Sequence, residues 1–162
     1  MGTAYSDITD VFLHRVEEDR DFFNLINLLP EEVEDVIKIR TRAFLREAIA
    51  ILSIRHVCPV NFSDRSDDTE EFGFDLSEVE IYLLASLMYQ VYLSRYVAKI
   101  KALNVNYTAT DLRVFDPSNA RSTYLELYQQ VCDENELLMD AYISQNRDGG
   151  YITTAAESFD DD

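Results

Sequence analysis

Apolar residues crowd every side of the stretch from Asp75 to Leu103, DLSEVEIYLLASLMYQVYLSRYVAKIKAL, over a helical length. A helix with no polar face must lie inside something, so this stretch predicts a central core helix. Ser77 followed by Glu80 has the spacing of a capping box, in which hydroxyl and carboxylate each accept from the other residue's backbone N–H; this sets the start near Ser77. Asp75, Glu78 and Glu80 precede the apolar run, and Arg95, Lys99 and Lys101 follow it. That is the charge order a helix macrodipole favours. Between Ile81 and Ser94 no residue is charged, but the run falls short of the roughly 20 apolar residues a membrane crossing needs.

The remaining elements are arranged around this helix. Ile8, Val11, Phe12 and Val16 recur at three- and four-residue steps and predict a first helix capped by Ser6 or Asp7. After a run of acids, Phe22, Phe23, Leu25, Ile26, Leu28 and Leu29 read as a bent or broken helical piece packed on other helices. Pro30, Glu31 and Glu32 open a second helix, because proline fits a first turn and acids suit its positive end. It runs to about His56, is ended by Cys58-Pro59, and carries Lys38, Arg40, Arg42, Arg46 and Arg55 as a basic face. This strip pairs with acids of the same chain or of a neighbour.

From Val60 to Asp75 the chain reads as a long acidic loop, in which Phe72 and Phe74 flank Gly73 and anchor it on the core or on a partner. Its Asp64, Asp67, Asp68, Glu70 and Glu71 supply hard oxygens but lack the alternating spacing and central glycine of a calcium loop. Beyond the central helix, Val105, Tyr107, Thr108, Thr110, Leu112, Val114 and Phe115 suggest a single strand or an ordered loop. Asp116-Pro117-Ser118 restarts a helix, whose stripe includes Tyr124, Leu127, Val131, Leu138, Met139 and Tyr142 and which runs to about Asn146. Gly149-Gly150 ends it, leaving YITTAAESFDDD with too little to bury. The fold class is all-α: a small bundle of about four helices with a long acidic loop, as a domain over 1–146, followed by a flexible C-terminal tail over 147–162.

Charge narrows the function. Acids outnumber Lys and Arg by 31 to 14, a net charge of -17, and a surface that docks on phosphates needs the opposite. The opening MGTAYSDITD has neither the basic nor the apolar region of a signal peptide. Gly2 with Ser6 fits a loose myristoylation pattern, without a second membrane signal beside it. Cys58 and Cys132 lie in no metal-ligand spacing and read as buried free thiols, and His14 and His56 are equally isolated. Phosphate loops, nucleophile elbows and metal-binding helix motifs are missing from the sequence. The chain reads as a protein that is not an enzyme and takes no cofactor.

Four pieces of the chain, AYSDITDVFLHRV, FLREAIAIL, DRSDDTEEFGFDLSEVEIYLLASLMYQVYL and TDLRVFDPSNARSTYLELY, resemble in order and spacing the head–tail connector, or adaptor, proteins of tailed bacteriophages. The resemblance covers most of the chain up to about Tyr142, and the tail after Gly149 has no counterpart in it. It implies a structural protein made in the host cytoplasm and built into the virion neck as a ring, typically of twelve copies. Such a ring lies beneath the portal, extends the DNA conduit and meets the next neck or tail-completion protein. On that reading DNA passes without specific binding, since an acidic lumen repels its backbone. Arg40, Arg42 and Arg46, the loop residues Phe72 and Phe74, and Tyr151, Ile152 and Phe159 of the tail are then the candidate interface with neighbouring subunits or the portal. Tyr151 to Thr154 would add as a strand to a partner. The alternative is an acidic helical regulatory protein that mimics nucleic acid and binds a basic partner, with a small hydrolase that uses the carboxylates behind it.

Overall fold

The structure, a computed structural model, describes residues 2–17, 22, 29–54, 60–106 and 118–144, with side chains at 30, 100–106 and 118–122 outside that set. It is all-α, with helices α1 (Tyr5–Val16), α2 (Pro30–Ile54), α3 (Glu78–Asn106) and α4 (Ser118–Ile143). The short strands β1 (Arg65–Ser66) and β2 (Glu71–Phe72) lie between α2 and α3. The central position expected of the apolar stretch is observed: α3 packs against α1, α2 and α4. Its Leu83, Leu84, Ala85, Leu87 and Met88 are buried on successive turns, which a helix achieves only when neighbours cover several of its faces.

The capping box forms as its spacing requires. Ser77 N–H donates to Glu80 Oε2 at 2.7 Å and Glu80 N–H to Ser77 Oγ at 3.3 Å. The second helix uses half of the same device, with Leu29 N–H donating to Glu32 Oε2 at 2.8 Å one position before Pro30. Two boundaries differ from expectation. Val105, expected beyond the helix, lies inside α3, because adding a residue to a formed helix costs far less than nucleating one. The first helix starts at Tyr5, with Ala4 at the cap position and no side-chain cap, so neither Ser6 nor Asp7 caps it.

A carbonyl from the acidic loop takes over that role. The loop folds into an antiparallel hairpin, with Arg65 opposite Phe72 and Ser66 opposite Glu71. Residues 2–5 lie along its outer edge: Ala4 bridges Glu71, Phe72 N–H donates to Thr3 O at 2.9 Å, and Tyr5 N–H donates to Glu70 O at 2.8 Å. The approach is close enough that a Cβ on Gly2 would collide with the Phe72 carbonyl. Glu70 closes the turn with φ 58, a left-handed conformation that costs an L-residue roughly 1 kcal/mol and has to be held by its surroundings.

Two aromatic clusters join these parts. Phe12 meets Phe22, Phe44 and Tyr92 edge-on at 5.8, 5.7 and 6.4 Å, tying α1, α2 and α3 together. Phe72 meets Tyr5 at 5.3 Å and Phe62 at 6.5 Å, and Phe62 in turn meets Tyr142 of α4 at 6.5 Å. Buried polar groups set the α3–α4 register. Asn135, fully buried, donates to Ser86 O and to Gln90 Oε1 and accepts from Ser86 Oγ at 2.6 Å, while Arg15 donates to that same oxygen at 3.0 Å. The bent piece apart from Phe22 and Leu29, the Cys58-Pro59 stop, the strand or loop over 107–115, the Asp116-Pro117 start and the tail lie outside the described residues.

Candidate interaction surface

The basic face of α2 is occupied within its own chain. Lys38 Nζ lies 2.9 Å from Glu70 Oε2, Arg42 pairs with the other oxygen of Glu70, and Arg46 Nη2 lies 2.8 Å from Asp67 Oδ2. Arg40 turns away and donates to the carbonyl of Phe22 at 3.2 Å. The left-handed turn at Glu70 therefore aims one carboxylate between two cations, and this is where the backbone strain is held. Exposed ion pairs of this kind contribute at most about 1 kcal/mol each. They orient the hairpin, while Phe72 supplies the burial that holds it.

Phe72 itself is 1% exposed and Phe74 is half-buried against the core. Phe72 is thus a core anchor and offers nothing to a partner, which corrects its place among the candidate interface residues. Its alternation in β2 turns it inward while Glu71 faces out. Tyr151, Ile152 and Phe159 lie outside the described residues.

Between α1, α2 and the hairpin tip lies a cleft of about 260 Å³, lined by Tyr5, Ser6, Thr9, Ile37, Lys38 and Glu70 among others. At its edge Tyr5 OH donates to Asp67 Oδ1 at 3.0 Å. Burial, and after it this bond, pushes the Tyr5 phenol up to about 12. Partial burial pulls the Asp67 carboxyl upward, but the hydrogen bonds from Tyr5 and Arg46 and the charges of Arg46 and Arg65 outweigh it and hold Asp67 below its ordinary 3.8. A carboxyl lowered on folding stabilises the fold above its unfolded value, and that contribution disappears as pH falls through the lower, folded one. A phenol raised on folding stabilises below pH 10, and its contribution disappears as pH rises through about 12. Hairpin docking should therefore hold across neutral pH and loosen at both extremes. An NMR titration of the Asp67 carboxyl carbon should give a midpoint below 3.8 that rises in Tyr5→Phe; an unchanged midpoint would remove the phenol from this account.

The helices also turn apolar side chains outward. Ile39 and Ile54 of α2 are 69% and 75% exposed, and Leu137 of α4 is 72% exposed. In α2, Ile39, Ala43, Ala50 and Ile54 fall on one face at spacings of four, seven and four, opposite the buried Phe44, Leu45, Ala48 and Leu52. Ile39 and Ile54 continue the helical pattern of α2, and Leu137 lies off the stripe expected of α4. The signal was present: plotted at 100° per residue, α2 has apolar residues on two opposite faces, and one helix side can face only one core.

Among the described residues there is no set of three or more His, Cys, Asp or Glu side chains that could hold a metal ion, and no described helix is long and apolar enough to cross a membrane. Cys132 is half-buried and burial pushes its thiol up, away from the thiolate a nucleophile requires. The chain matches no family model, no curated protein and no solved structure.

Proposed function

We propose that this chain is a structural subunit of a tailed-phage neck, a connector that assembles as a ring beneath the portal, joins head to tail and carries no catalytic activity. The observation that carries the proposal is the apolar stripe on the outer face of α2, which the chain's own fold leaves exposed and which suits contact with another copy. The order of sequence pieces supports it: the opening AYSDITDVFLHRV, the FLREAIAIL end of the second helix, the acidic stretch leading into the core helix and the late TDLRVFDPSNARSTYLELY resemble connector proteins in order and spacing. With a net charge of -17, a channel built from such subunits repels the DNA backbone, so that the genome slides through without sticking.

The measurement is the mass of the purified protein in solution, alone and mixed with portal rings of the same phage. Ring-sized assemblies, formed alone or on the portal, are the expected result. A chain that stays monomeric over the whole concentration range and ignores portals would sink the proposal.

A second reading has one observation in its favour. The outer face of α4 carries Glu126, Asp133, Glu134, Glu136 and Asp140, with no Lys or Arg among the described side chains of that helix. A regulatory protein that mimics nucleic acid would present such a face to a basic partner. It would bind that partner tightly at low salt, lose affinity steeply as salt rises, and form no rings.

A further inference from the structure

We infer that the subunit contact is made in trans between the outer face of α2 and the outer face of α4, with Leu137 of one copy seated between Ile39, Arg42, Ala43 and Arg46 of the next. This rests on the reading of the chain as a ring-forming subunit and identifies the surfaces that reading requires. Ile39, Arg42, Ala43 and Arg46 stand at i, i+3, i+4 and i+7, the four corners of a hole into which one side chain of a facing helix fits. Ala43 makes the floor shallow, Ile39 supplies the apolar wall, and the two arginines form a cationic rim. Leu137 has the complementary surroundings: an exposed apolar side chain with Asp133 and Glu134 one turn before it and Asp140 and Ala141 one turn after.

The charges match as well. Lys38, Arg42 and Arg46 put three cations into nine residues of a chain that is otherwise strongly acidic, whereas the described side chains of α4 include five carboxylates and no cation. Pairing with Glu70 and Asp67 does not exhaust the α2 cations. Arg46 remains about half exposed and meets Asp67 through one nitrogen, Nη2, of a guanidinium with five donors. On the other side, Gln129 donates to Asp133 at 2.9 Å and Gln130 to Glu134 at 2.8 Å, which orients both carboxylates beside Leu137 before any partner arrives. Two copies with a net charge of -17 repel over most of their surfaces, so the basic face of α2 is where a second copy can approach most favourably.

Leu137 and its hole lie on different helices, so a one-way contact leaves a vacant hole on one copy and an unused leucine on the other. Further copies then add until the rotation closes a ring. Cross-linking reads this directionality. In a background with Cys58 and Cys132 replaced by serine, the double variant Ile39→Cys with Leu137→Cys, oxidised as the assembled protein, should give a ladder of covalent oligomers. Either single variant alone should give none, and an equimolar mix of the two should stop at dimers. A double variant that stops at dimers would mean a reciprocal contact and overturn the one-way arrangement, as would dimers from either single variant.

A second readout needs no cross-link. Ile39→Asp and Leu137→Asp change exposed side chains, so circular dichroism should stay unaltered while self-association weakens at least tenfold in sedimentation. If both variants assemble as the parent does, this contact is wrong and the ring-forming reading stands. If the parent never exceeds a monomer, with or without portal rings, both are wrong.

Discussion

Replacing Phe12 with alanine should cost about 3–5 kcal/mol, the range for removing a large aromatic from a packed interior. Phe12 is fully buried and contacts rings from three other places, Phe22, Phe44 and Tyr92, all within 6.4 Å. Because those rings belong to α2, α3 and the segment between α1 and α2, a cavity at residue 12 cannot be closed by moving one helix. For a domain of this size the melting temperature should fall by roughly 10 °C. Phe12→Leu, which keeps most of the volume and loses the edge-on ring contacts, should cost roughly 1–2 kcal/mol. Thermal unfolding of the two variants would settle the matter. A loss under about 1 kcal/mol for the alanine variant would show that the cluster relaxes easily and that α1 is fastened elsewhere.

The second large effect is expected at Glu80. Its carboxylate is fully buried and accepts from Ser77 N–H at 2.7 Å through one oxygen and from Tyr142 OH at 2.8 Å through the other. Glu80→Ala removes a helix cap, worth about 1 kcal/mol, and takes a buried acceptor from the Tyr142 hydroxyl, worth about 1–3 kcal/mol more. The sum, roughly 3 kcal/mol, should appear in denaturant unfolding without a change in slope. Tyr142→Phe alone should cost about 1 kcal/mol, and the double variant should fall short of the two costs added together by at least about 0.5 kcal/mol, since both report one bond. Strict additivity would mean that Glu80 serves only the cap and that the link from α3 to α4 carries no energy.

Glu80 also shows what was legible in the sequence and what was not. Its pairing with Ser77 is a local matter of three-residue spacing, so the cap and the start of α3 could be read from the order of residues. Its bond to Tyr142, 62 positions away, depends on how α3 and α4 are set against each other, and spacing within one helix does not encode that. The central place of α3 was legible for the same reason as the cap, because a helix without a polar side needs cover. The start of α1 was not, because its first N–H, that of Tyr5, is served by the Glu70 carbonyl and no side chain of Ser6 or Asp7 caps the helix. The basic strip of α2 was legible as a strip, and pairing within the chain was one of two destinations it allowed. Phe72 and Ile39 mark the limit: an aromatic in an acidic loop lies inside and an isoleucine in a helix lies outside, since burial is decided by neighbours that come from elsewhere in the chain.

The run of residues 2–5 along the edge of the hairpin has a consequence for the order of events during synthesis. Its partners, Glu70 to Phe74, lie about 70 positions downstream. At ribosomal rates of about 5–20 residues per second they leave the ribosome several seconds after the first residues do. During that interval α1, only 12 residues long, lacks both its cap and its core, and a helix that short is marginal in water. Residues 2–5 therefore wait for the hairpin, and α1 gains the Glu70 carbonyl at its start only once residues 70–74 have folded back over Gly2 and Thr3.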